Sequence, residues 1–84
     1  MKFITTRNEA GTEELFLFPR SIHHDAMAEV LEGIKDKTDG NWIREYRHPV
    51  AAGFVTAGYC YGSSETLGLS ARPEDTDLLR KQVL

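Results

Sequence analysis

The run Leu15-Phe16-Leu17-Phe18 constrains this chain more than any other stretch, because four consecutive large apolar residues leave a strand no polar face to turn to water. Side chains alternate across a strand, so the run is either covered on both faces of a sheet or placed in a subunit interface. With 84 residues in all, one domain is expected. Covering both faces of one strand would take most of the remaining residues. A homodimer that covers part of it is therefore expected as well.

The rest of the chain supplies candidates for that cover. Residues 2–6 and 14–18 read as two strands joined by a loop over Asn8-Glu9-Ala10-Gly11, with Gly11 in the left-handed region. Pro19 ends the second strand, and Ser21 is placed to cap a helix. Ile22, Ala26, Met27, Val30, Leu31 and Ile34 then fall on one side at helical spacing, with Asp25, Glu29 and Glu32 on the other. Lys35 and Lys37 suit the end of that helix, which Asp39-Gly40 closes. A third strand over 42–47 is broken by His48-Pro49, and a fourth covers 50–57. A turn at Gly62-Ser63-Ser64 leads to a fifth around 65–69. Pro73 opens a short helix with acidic Glu74, Asp75 and Asp77 at its start, basic Arg80 and Lys81 at its end, and Leu78, Leu79 and Val83 as its apolar side. The order is ββαβββα. It describes an α+β fold: an antiparallel sheet of four to five strands, one main helix packed on it and a short C-terminal helix.

Composition excludes several classes of function. Cys60 is the only cysteine, so neither an intrachain disulfide nor a multi-thiolate zinc site can form. An unpaired thiol, with no apolar leader at the N-terminus, points to a reducing cytoplasm. No segment approaches the roughly 18 apolar residues of a membrane span. The formal charge of −3 does not supply the field of a general nucleic-acid binder, and the charges alternate in sign as on an ordinary solvated surface.

Three clusters hold candidate chemistry. His23-His24-Asp25 lies at the start of the helix, where the expected phase puts His23 near the centre of the apolar face and His24 at its margin. A metal site or general base would need His48 or Cys60 brought in from the sheet. Adjacent histidines point about 100° apart on a helix and do not chelate one ion as an i, i+4 pair does. One satisfied and one exposed histidine is the plainer expectation. Trp42, Arg44 and Tyr46 alternate along one strand with His48 and share a face. Arginine among aromatics suits a stacking platform for single-stranded nucleic acid, but equally a protein interface or sheet packing. Gly58-Tyr59-Cys60-Tyr61-Gly62-Ser63-Ser64 matches neither a P-loop nor a nucleophile elbow, and a packed thiol is the default for Cys60.

The segment Cys60-Tyr61-Gly62-Ser63-Ser64-Glu65-Thr66-Leu67-Gly68-Leu69, followed by Ser70-Ala71-Arg72-Pro73-Glu74-Asp75-Thr76-Asp77-Leu78-Leu79, resembles the C-terminal half of small uncharacterised proteins encoded by bacteriophages and prophages. The opening Phe3-Ile4-Thr5-Thr6-Arg7 is compatible with the same group. The resemblance implies an accessory protein acting in a bacterial cytoplasm through another protein, and it carries no catalytic residue and no cofactor. The expected function is a non-enzymatic interaction module that binds a protein partner or itself. Phe16, Phe18, Trp42, Arg44 and Tyr46 are its candidate contact residues. A nucleic-acid regulator using the Trp42/Arg44/Tyr46 face is the alternative, and a metal protein or small enzyme centred on His23, His24, His48 and Cys60 is the third reading.

Overall fold

The computed structural model describes residues 1–32, 35–38, 41–44 and 47–83. A four-stranded antiparallel sheet forms the centre, built from β1 (Lys2–Asn8), β2 (Glu13–Phe18), β5 (Arg47–Thr56) and β6 (Tyr59–Tyr61) in the order β2-β1-β5-β6. Helix α1 (His24–Glu32) follows β2, and the hairpin β3 (Lys35–Thr38) with β4 (Asn41–Arg44) precedes β5. Two short paired strands, β7 (Ser63–Ser64) and β8 (Leu69–Ser70), lead into α2 (Pro73–Val83). The α+β class and the antiparallel sheet with two helices agree with the sequence.

The apolar run of β2 is satisfied within one chain. Alternation sends Phe16 and Phe18 to one side, where Phe18 packs with Ile4, Ala52 and the α1 residues Ala28 and Leu31. Leu15 goes to the other side, packing with Phe3, Ala51 and Leu79 of α2. Each helix thus closes one face of the sheet. Leu17 remains partly exposed at the edge. With α1 and α2 in place, the faces of β2 by themselves do not require a second copy.

Several local expectations are corrected. Ser21 is not the helix cap, because the chain first turns through an Ile22 N–H to Pro19 C=O bond and α1 opens only at His24. The stripe that packs on the sheet is His24, Ala28 and Leu31. His23 is exposed instead of buried, and Val30, assigned to the apolar side, stands in water. Lys35 and Lys37 belong to a strand, not a helix end. Ile34, Asp39-Gly40 and Tyr46 lie outside the described residues.

His48-Pro49 does not break a strand either. Pro49 stands opposite Thr6 beside the point where the β1–β5 register shifts, and β6 pairs with β5 only at Phe54, Val55 and Thr56. A bulge with no second paired strand among the described residues tolerates a residue that cannot donate. Beyond Thr56, Ala57 and Gly58 both take positive φ, 50° and 79°, in a two-residue hairpin turn to β6. Residues 65–68, expected as strand, form the turn between β7 and β8. Gly11 has the expected positive φ of 84°.

Candidate functional site

Candidate features gather where the N-terminus of α1 meets β1, β5 and β7. A cavity of about 330 Å³ opens there, lined by Lys2, His23, His24, Phe54 and the segment Ser63, Ser64, Glu65 and Thr66. His24 is a buried wall of it, at 6% exposure. Its Nε2 lies 2.9 Å from the Gly53 carbonyl oxygen, and because a carbonyl can only accept, Nε2 carries the proton in this pair. Phe18 and Phe54 meet the imidazole edge-on, with centroids at 5.4 and 5.6 Å. Three contacts therefore hold the ring in place.

Gly53 permits this arrangement. A Cβ there would collide with the Tyr61 carbonyl oxygen and crowd the Gly62 carbonyl and the Phe3 ring. Without one, β6 turns away beside β5. Gly62, at φ 76°, then separates β6 from β7 and brings Ser64 to the cavity. The Ser64 hydroxyl accepts from Leu67 N–H at 3.4 Å and is hydrogen-bonded to the Thr66 hydroxyl at 3.2 Å. The Lys2 ammonium donates to Ile22 C=O at 2.8 Å.

An aromatic surface continues from the cavity through Phe54. The Tyr61 ring lies 5.9 Å from it, and the Arg20 guanidinium sits over Phe54 at 5.7 Å while reaching the Tyr61 hydroxyl at 3.5 Å. Two residues back along β6, Tyr59 is covered by Arg80 of α2 at 4.8 Å. Both tyrosines still present much of their surface to water, 56% for Tyr59 and 42% for Tyr61. This cluster does not stand out in the sequence, where the Trp42 strand carries the more conspicuous aromatic pattern. The Tyr-x-Tyr alternation beside a Gly58 turn is the signal that points to it.

The sequence candidates are distributed as follows. His23 and His24 share the cavity. His48 lies opposite Arg7 in the β1–β5 ladder, five residues along β5 from Gly53 and so on the order of 15 Å away. Cys60 packs with the α2-side cluster of Phe3, Leu15, Ala51 and Leu79, across the sheet from His24. Burial, and secondarily the Asp75 carboxylate, push its thiol up from the ordinary value. A thiol held protonated is a poor nucleophile and a poor metal ligand. Among the described residues, no group of three or more His, Cys, Asp or Glu is placed to hold a metal ion. Phe18 is buried, and Phe16 is partly buried under the Arg47 guanidinium at 5.5 Å, so both rings serve packing within the chain. Trp42 and Arg44 fall on β4, at register positions opposite Lys37 and Lys35.

Comparison with protein-family models, curated proteins and solved structures finds no match to this chain. Among the described residues, no helix is long and apolar enough to cross a membrane.

Proposed function

We propose that the chain is a non-enzymatic interaction module, of the cytoplasmic accessory kind that its resemblance to phage and prophage proteins implies. Its contact surface is the patch of Phe54, Tyr59 and Tyr61 with Arg20 and Arg80. The observation that carries this reading is the pair of half-exposed tyrosines on β6, each associated with an arginine. Tyrosine and arginine dominate protein-interface hot spots because each offers a large, stiff contact area with a polar end. An arginine already laid against a ring also loses less freedom when a partner covers it. The packing of the partly buried Cys60 on the α2 side of the sheet, away from both cavity histidines, supports a binding role over a thiol–imidazole one.

The test is affinity capture from host lysate with the wild-type chain and with the double variant Tyr59→Ser/Tyr61→Ser. One reproducible protein recovered by the first and lost by the second is expected. Equal recovery by both removes this surface from the proposal. Light scattering on the same two proteins shows whether the partner is a second copy.

A nucleic-acid regulator is the second reading, and it rests on the β3–β4 register. Lys35 opposite Arg44 and Lys37 opposite Trp42 put three cationic residues and an aromatic one at paired positions of one hairpin. Phosphate contacts give salt-sensitive affinity, so anisotropy of a labelled single-stranded oligonucleotide should rise at low salt and fall back as salt is added. A flat titration at low salt eliminates this reading.

A further inference from the structure

The two edges of the central sheet are β2 and β6, and α2 places a polar side chain on each. In an antiparallel ladder, alternate residues of an edge strand turn both N–H and C=O outward. On β2 this outward set includes Leu15. The Gln82 carboxamide oxygen accepts from Leu15 N–H at 2.9 Å, and its amide nitrogen donates to Leu15 C=O at 3.0 Å. That is the donor–acceptor pair a neighbouring strand would offer. On β6 the Cys60 N–H donates to Thr76 Oγ1 at 3.1 Å. A helix lying on one face thus reaches round both edges.

We infer that α2 is an edge guard, with Gln82 standing in for a neighbouring strand on β2, and that the pairing it blocks is antiparallel addition of a second copy's β2. The sequence of β2 names that occupant. A two-fold pairing centred on Leu15 sets Glu13 opposite Leu17 and Glu14 opposite Phe16 of the other copy, so no like charges face one another. The strand Glu-Glu-Leu-Phe-Leu-Phe contains no proline, and its exposed Leu17 lies on the open edge. An unprotected edge of this kind pairs with its own copies.

The experiment uses the full chain. In Gln82→Ala, the Leu15 amide should exchange about tenfold faster at low concentration, the effect of losing one net hydrogen bond. The variant should then sediment as a dimer at concentrations where the wild type does not. Adding Leu17→Lys, a charge on an exposed edge position, should return it to monomer, whereas adding Tyr61→Ser should not. That contrast separates a β2 dimer from any association through the tyrosine surface. Gln82→Glu provides a second, size-preserving probe, because its carboxylate accepts from Leu15 N–H but cannot donate to Leu15 C=O, and it should self-associate less than Gln82→Ala. The inference is overturned if Leu15 exchange is unchanged in Gln82→Ala, if neither variant associates more than the wild type, or if the wild type already dimerises in a manner abolished by Leu17→Lys.

Discussion

Ala57 is the residue where local conformation and residue type disagree most plainly. Its φ of 50° is in the left-handed region, where a Cβ crowds the following carbonyl. The next residue is Gly58 at 79°, so the turn has the conformation that Asn-Gly adopts most readily. Ala57→Asn should therefore raise stability by about 0.5–1 kcal/mol, read as a higher urea midpoint with an unchanged slope. A lower midpoint would refute the turn assignment. Gly53→Ala should act in the opposite direction, costing about 2–3 kcal/mol, because the added methyl meets backbone oxygens that cannot move alone. These roles are legible in the sequence to unequal degree. Gly58 beside a strand announces a turn, but nothing near Gly53 reveals that Tyr61 passes over it. The burial of His24 is hidden for a related reason. Helix α1 opens at His24 and leaves Ile22 and His23 outside it, and the face it buries, His24, Ala28 and Leu31, is selected by packing on distant strands that carry Ile4, Phe18 and Ala52.

At the scale of elements, α2 is readable because its signals are local. Pro73 at its first position, acids in the first turn and bases in the last all act within a few residues. The anchoring of α2 to the sheet is not readable, since it joins distant residues. Asp75 is fully buried, and its carboxylate accepts from Arg72 N–H at 2.7 Å, from the Arg72 guanidinium at 2.8 Å and from the Thr5 hydroxyl of β1 at 2.8 Å. Arg72 also donates to Glu13 at 2.7 Å. Arg72→Ala should cost about 3 kcal/mol in urea unfolding, because it leaves a buried carboxylate without its counter-charge. Arg72→Lys should recover only part of that loss, since an ammonium cannot reproduce the planar fork. Equal stability of Arg72→Lys and the wild type would show that charge alone matters. The same contrast of local and distant explains β3 and β5. Asp39-Gly40 is a hairpin dipeptide by sequence, yet the apolar period before it favours continuing a helix. Pro49 reads as a breaker until its bulge against β1 is known.

Across the whole molecule, Glu13 of β2 is where β1 and the start of α2 meet. It accepts from Arg7 of β1 at 2.7 Å and from Arg72, just before α2, at 2.7 Å. Hydrogen bonds from Arg72, then from Arg7, hold its carboxyl down at about 2 instead of 4.5. A carboxylate with a lowered folded pKa contributes stability above its unfolded value and loses it as pH falls through the folded one. The window here runs from about pH 5 down to about pH 2. About a quarter of the Glu13 side chain is in water, so screening reduces the contribution to about 1–2 kcal/mol. Glu13→Gln should therefore melt below the wild type at pH 7, with the gap narrowing as pH is lowered from about 5 towards about 2. Thermal melts of both proteins across that range test the point, and a gap constant with pH would place the stabilisation in packing and not in the ion pairs. Because Arg72 joins Glu13 of the β1–β2 hairpin to the start of α2, acid should also weaken the hold of that helix on the sheet. The protection of the Leu15 and Cys60 amides, both bonded to α2 side chains, taken relative to the intrinsic exchange rate at each pH, should then fall in wild type below about pH 4 before the central strands β1 and β5 lose protection.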